Sequence, residues 1–171
     1  MKIEIIQAET PAQIAQARSL FREYEAWLGL NLCFQNFEEE VANLPGKYAE
    51  SAGGRLFLAF VDDERLAGCI ALRKLEDGVC EMKRLFVRAD FRGRKIGKVL
   101  IEKLIEEARA VGYRKMRLDT YPPKMAKAFE LYQSHGFREI PPYYHNPLGE
   151  TLYMEKMLDV RCQLLKPASD I

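Results

Sequence analysis

Residues 84–112, RLFVRADFRGRKIGKVLIEKLIEEARAVG, change character in their middle. An apolar run, Leu85 to Val87, gives way to a basic, glycine-containing turn and then to a long amphipathic pattern carrying Ile96, Val99, Leu100, Leu104 and Ala108. Spacing by threes and fours predicts a helix from about Arg94 to Ala110, stopped at Gly112. A loop that turns directly into a helix leaves backbone N–H groups without partners at the positive end of the macrodipole. Gly93 and Gly97 allow close backbone approach, and Arg92, Arg94, Lys95 and Lys98 surround the turn with positive charge, so a phosphate or pyrophosphate is the natural guest. The stretch lacks both G-x-x-x-x-G-K-[ST] and G-x-G-x-x-G, which takes support from nucleotide hydrolysis and hydride transfer. On these residues alone, an ordinary solvated helix start is an equal reading.

Upstream, Lys2 to Gln7 reads as a strand, and Thr10 with Pro11 supplies the cap and first-turn proline of a helix whose apolar face is Ile14, Ala17, Phe21, Tyr24 and Leu28. Gly29 ends it. Asn36 is the expected cap of a short helix, FEEEVANL, whose Glu38, Glu39 and Glu40 form a solvated first turn or, less simply, an acceptor-binding cluster. From Arg55 the pattern is β: RLFLAFV, RLAGCIALRKL and VCEMKRLFV, joined by DDE and EDG turns, make an antiparallel meander. Beyond the central helix come a strand, KMRLDT, and a proline-initiated helix with Met125, Ala128, Phe129 and Tyr132 on one stripe, closed by His135-Gly136. The strands FREI and TLYMEKML follow, separated by PPYYHNPLG. The mixture predicts an α+β fold with a central, mostly antiparallel sheet flanked by helices, and one locally parallel pair around the opening stretch.

The chain has 171 residues, the size of one domain, assigned to 1–158 with 159–171 as a C-terminal tail or extension. Lys and Arg total 26 against 25 Asp and Glu, so no global field draws the chain to nucleic acid or an anionic membrane. The start, MKIEIIQAET, has too short an apolar run for a signal peptide, and no stretch is long enough for a membrane span, so a cytoplasmic protein is expected. Cys33, Cys69, Cys80 and Cys162 form no C-x-x-C pair, and His135 and His145 lack partners at metal-ligand spacing, so no metal is expected. Cys69 and Cys80 sit in apolar runs and read as packing residues.

Two motifs resemble the GCN5-related N-acetyltransferases (GNAT). The family's acetyl-coenzyme A loop follows [QR]-x-x-G-x-[GA]; here Arg92, Gly93, Arg94, Lys95, Ile96 and Gly97 occupy those places, with Lys95 standing for the inner glycine. Downstream, AFELYQSHGF (128–137) resembles A-x-x-L-Y-x-x-x-G-F, with Ala128, Leu131, Tyr132, Gly136 and Phe137 matching. Met125 stands where the family often has an asparagine near the coenzyme. The element order agrees as well, so the resemblance covers about residues 1–158.

The resemblance implies an acyl-CoA N-acyltransferase fold and direct transfer of an acetyl group from acetyl-coenzyme A to a primary amine of a small molecule in a ternary complex. Backbone groups of Leu85, Phe86 and Val87 would meet the pantetheine arm, and the loop headed by Arg92, with amides from Gly93 to Lys98, would hold the pyrophosphate. Altered loop geometry is expected at Lys95. Glu81 is the implied base, against the alternative of a strand glutamate paired with Arg84 or Lys83. Tyr132 is the implied acid toward the departing thiolate, against a core aromatic. Tyr143, Tyr144, His145 and Asn146, with Trp27, Cys33, Phe34 and Gln35 opposite, are candidate acceptor walls. The competing functions are an acyl-CoA-binding regulatory module without catalysis and a nucleic-acid contact at the RGRKIGK turn; one short basic cluster argues against the latter. The closing strand and tail are candidates for a homodimer interface.

Overall fold

The computed structural model describes residues 1–159. Most of the expected extension, with Cys162, lies outside the described residues. In chain order the elements are β1 (Ile3–Gln7), α1 (Pro11–Leu28), α2 (Phe37–Ala42), β2 (Arg55–Val61), β3 (Arg65–Glu76), β4 (Val79–Val87), α3 (Ile96–Val111), β5 (Lys115–Thr120), α4 (Pro122–Ser134), β6 (Arg138–Ile140) and β7 (Leu152–Met157). Number and order match the sequence pattern. Single 3-10 turns at Cys33–Gln35 and Gly46–Tyr48 flank α2.

Seven strands form one sheet in the order β1-β2-β3-β4-β5-β7-β6. Among the described residues only β4 and β5 run parallel; every other neighbouring pair is antiparallel. That crossover needs the long connection through α3, because parallel strands cannot be joined by a hairpin. The parallel pairing is short: Val79, Cys80 and Glu81 face Lys115, Met116 and Arg117. Beyond it β4 runs on to Val87 and β5 to Thr120 without pairing, so the sheet opens as a wedge. The closing strand β7 is flanked by both β5 and β6.

Helices cover both faces. On one, α3 buries Ile96, Leu100, Ile101, Leu104, Ile105 and Ala108 against the sheet, with Tyr132 and Phe137 from the α4 end. On the other, α1 buries Ile14, Ala17, Leu20, Phe21, Tyr24 and Leu28. Each fully buried Leu or Ile contributes about 1.5–3 kcal/mol relative to an exposed one. The start of α1 is closed: Thr10 Oγ1 accepts from the Gln13 N–H, and Gln13 Oε1 accepts from the Thr10 N–H. Cys69 and Cys80 are fully buried, as read from their apolar runs, and burial pushes the Cys80 thiol up to about 12.

Two local expectations need correction. Asn36 makes no side-chain cap to α2: it also ends the preceding 3-10 turn with φ 54°, and that left-handed backbone directs its side chain elsewhere. Met125 leaves the stripe of Ala128, Phe129 and Tyr132. Its φ −126° and ψ 33° break α4 after the prolines, and it packs with the α1 core instead.

A bulge in β4 shapes the site. Cys69 pairs with Phe86 and Ala71 with Lys83, so Ile70 faces two residues, Arg84 and Leu85. Arg84 adopts φ 59° to allow it. The alternation therefore slips by one: Cys80, Met82, Leu85 and Val87 pack toward α3, whereas Phe86 joins the α1 core. Glu81, Lys83 and Arg84 are left together toward α1 and α2.

Candidate active site

At the wide end of the wedge lies the start of α3. Lys95 precedes the helix with φ 64°, no side chain caps it, and Val99 is the first amide bonded back, to the Lys95 carbonyl at 3.1 Å. The amides of Ile96, Gly97 and Lys98 thus begin the helix without that bond, ringed by the exposed side chains of Arg94, Lys95 and Lys98. Lys95 takes a left-handed conformation, one that glycine adopts at no steric cost. A Cβ at Gly97 would meet only Leu131 at 3.5 Å and Val87 at 3.9 Å, ordinary contacts. Packing does not demand this glycine; close approach from outside would. Arg92 lies along the exposed surface toward β4: its Nε donates to the Val87 carbonyl at 2.9 Å and its guanidinium lies 4.9 Å over Trp27. It ties the loop to β4 and uses the carbonyl of one of the three expected backbone contacts, leaving Leu85 and Phe86 along the unpaired stretch.

At the narrow end, a small cavity is lined by Tyr24, Lys83, Leu118, Asp119, Met125 and Tyr132, among others. Tyr132 is buried, and desolvation raises its pKa far above neutral, so the hydroxyl keeps its proton. Lys83 donates to Asp119 Oδ1 at 3.1 Å. Burial opposes ionisation of Asp119, but the charge and hydrogen bond of Lys83 outweigh it and hold the carboxyl below its usual range.

Glu81 has no exposed surface. Its Oε2 accepts from Arg73 Nε at 2.6 Å and its Oε1 from the Tyr143 hydroxyl at 2.9 Å. Arg73, its cross-strand neighbour, is thus the partner, not Arg84 or Lys83. Arg84 is held by Glu40 through two hydrogen bonds of 2.9 Å and donates a third to Gln35 at 2.9 Å. Glu40 therefore does not belong to a solvated turn. Burial raises its pKa, yet Arg84 more than offsets this and keeps it ionised.

A larger cavity of about 350 Å³ opens beside this network, between α2, the turns around it, and the strands. Of the expected acceptor walls, Phe34, Gln35 and Tyr144 line it. Tyr143 sits behind, against Glu81, and Asn146 donates to the Tyr144 hydroxyl at 3.1 Å. Trp27 lies at the coenzyme-loop side under Arg92, and Cys33 and His145 are exposed and line neither cavity. Gln35 and Lys83 border both cavities, so the two are neighbours. The sequence reading missed Arg73, Asp119 and Tyr48, and it named Lys83 and Arg84 only as partners of Glu81, whereas they pair with Asp119 and Glu40. One signal was present: the adjacent charges of MKRLFV, in a strand otherwise apolar, are what a buried bulge with two paired cations looks like.

A model of the acetyltransferase (GNAT) family matches residues 15–137. An uncharacterized N-acetyltransferase of Schizosaccharomyces pombe is 38% identical over 154 residues, covering 89% of this chain and 93% of that protein. Human N-acetylaspartate synthetase is 33% identical over 121 residues, covering 70% of this chain and 39% of its own length. The crystal structure of an acetyltransferase from Streptococcus agalactiae superposes with a TM-score of 0.74 at 25% identity, covering 91% of this chain and 98% of that one.

Proposed function

The chain belongs to the acetyltransferase (GNAT) family, and we propose that residues 1–158 act as one domain that moves the acetyl group of acetyl-coenzyme A directly to the primary amine of a small molecule, in a ternary complex in the cytoplasm. The observation that carries this reading is the wedge, which joins the uncapped, basic start of α3 to the cavity under Tyr132. The residues fit the co-substrate: orphan amides and cations suit a pyrophosphate, and a strand edge without a partner suits an amide-bearing arm. Acetyl-coenzyme A supplies an activated thioester, so the chain needs no nucleophile of its own. A small acceptor suits a cavity of about 350 Å³, and the name of the human relative points the same way.

The N–C bond forms as the C–S bond breaks; one proton leaves nitrogen and one reaches sulfur. Tyr132 gives the second. Burial at the narrow end of the wedge keeps its proton in place at any working pH. Acceptance of the first proton belongs to a carboxylate, because only the neutral amine attacks. On one reading Glu81 serves through a water chain, since its oxygens are engaged by Arg73 and the Tyr143 hydroxyl and neither Glu81 nor Tyr143 borders a cavity. A second reading is favoured by position: Asp119 lines the cavity that Tyr132 lines and is kept ionised by Lys83. The acidic limb of the pH–rate profile moves in Glu81→Gln on the first reading and in Asp119→Asn on the second.

Calorimetric titration of acetyl-coenzyme A into the wild type and Gly97→Val, followed by turnover with an amine panel, tests the proposal. A side chain branched at Cβ should cost at least tenfold in coenzyme affinity in a protein that still folds. Unchanged affinity would displace the coenzyme from the α3 start. Binding without turnover of any amine would leave the regulatory-module reading.

A further inference from the structure

The larger cavity is rich in hydrogen-bond donors that the described residues leave idle. Arg73 uses Nε on Glu81, and among the described residues nothing accepts from its two Nη groups, although its side chain is only 25% exposed and lines the cavity. Tyr48 lines the same cavity and is 2% exposed; among the described residues its hydroxyl makes no well-formed hydrogen bond, and it lies beside the Glu40 carboxylate, so that burial and then that carboxylate push its pKa up. A buried hydroxyl left unsatisfied is costly, and such groups call for an explanation outside ordinary packing. Lys47, exposed at the rim, has no ion-pair partner among the described residues. Of the carboxylates that line the cavity, Glu40 is committed to Arg84 and Glu39 is exposed at the rim, and the other side-chain acceptors there are the neutral amide oxygens of Gln35, Asn36 and Asn43.

An oxyanion takes several N–H and O–H donors and offers none in return, and the two oxygens of a carboxylate match a pair of guanidinium Nη groups. We infer that the acceptor is a carboxylate-bearing amine, an amino acid or close analogue, whose carboxylate is bound by the Arg73 Nη groups and the Tyr48 hydroxyl. The inference rests on the acetyl-transfer reading above. It also orients the reaction. With the carboxylate held at Arg73, the amine points toward Gln35 and Lys83, the two residues through which the cavity meets the wedge. Glu39 at the rim is placed to meet the ammonium of an incoming zwitterion.

The test compares L-alanine, L-methionine, L-phenylalanine and L-aspartate with their amides, aspartic acid diamide included, at saturating acetyl-coenzyme A. At least one acid should exceed its amide by about tenfold or more in kcat/KM, as expected for hydrogen bonds to a charged group. Tyr48→Phe should raise KM for the acid with kcat unchanged, in a protein that still folds. Arg73→Lys keeps a cation beside Glu81 but loses the fork, and should erase most of the preference for acid over amide. Amides acetylated as well as acids, or a preference untouched by both substitutions, overturns the carboxylate site. Coenzyme binding with no turnover of either series overturns it too. Failure of acetyl-coenzyme A to bind overturns instead the transferase reading on which it stands.

Discussion

The two faces of the central sheet are held by different chemistry. Toward α3 and α4 the contacts are apolar, with Ile70, Leu72, Cys80, Leu100, Ile101 and Leu104 all at zero exposure. Toward α1 and α2 the apolar layer of Leu20, Phe21, Leu56, Leu58 and Cys69 gives out at β4, where Glu81, Lys83 and Arg84 are buried. Each is answered from another element: Glu81 by Arg73, Lys83 by Asp119, Arg84 by Glu40. Buried ion pairs repay their desolvation poorly, and apolar residues of the same volume would often do as well. A sheet that already has one apolar face shows what stability alone selects. The charged half-face lies where the two cavities meet, and its partners leave donors turned toward the larger one; its chemistry follows from the site, and its stability from completeness of pairing.

Breaking one pair should therefore have the largest effect. Glu40→Gln leaves the Arg84 side chain, 2% exposed, without its counter-charge, and should cost roughly 3–5 kcal/mol at pH 7 in chemical denaturation. The pH dependence sharpens the contrast. The folded-state pKa of Glu40 lies below its ordinary 4.5, so its contribution is complete above about pH 4.5 and is lost as pH falls through the lower folded value. Asp119, lowered from 3.8, acts in the same direction just below. Wild type and Glu40→Gln should thus converge on acidification. A gap that stays constant down to pH 3 would mean the pair contributes nothing through its charge. On the opposite face, Leu104→Ala should cost about 2–5 kcal/mol by loss of transfer energy and a residual cavity, with the same value at pH 7 and pH 5. A pH-dependent cost there would erase the distinction between the faces.

The same distinction separates what the sequence made legible from what it did not. Apolar periodicity, Thr10–Pro11 and Gly112 are local signals, and they led to the strands and helices in their observed order, to the core of α1 and α3, and to the open start of α3. The charged half-face depends on partners far apart in the chain: Arg84 and Glu40 are 44 residues apart, Lys83 and Asp119 are 36 apart. No periodicity joins them. The bulge at Arg84 hides the arrangement further, because strict alternation would place Arg84 on the face opposite Lys83. Asn36 and Met125 escaped for a related reason: each has the residue type its expected position calls for, but a neighbouring turn sets its backbone dihedrals.

Tyr132 stands on the boundary, and the smallest change in stability is expected there. Its ring belongs to the apolar face, edge-on to Phe137 at 6.0 Å between centroids, while the residue also lines the cavity bordered by Lys83 and Asp119. The hydroxyl has no hydrogen-bond partner among the described residues, so Tyr132→Phe removes no protein contact of the oxygen and should change stability by no more than about 0.5 kcal/mol. If the hydroxyl gives its proton to sulfur, kcat falls roughly 10²-fold while acetyl-coenzyme A affinity, measured by titration, is unchanged. Because burial keeps the wild-type group protonated far above neutral, its titration should not set the alkaline limb of the kcat profile. An unaltered kcat at saturation would make Tyr132 a core aromatic and nothing more, moving the edge of the reactive region back to Lys83 and Asp119. A large loss of stability alongside the loss of rate would show that the oxygen serves the packing after all, and that the two faces are not separable at this residue.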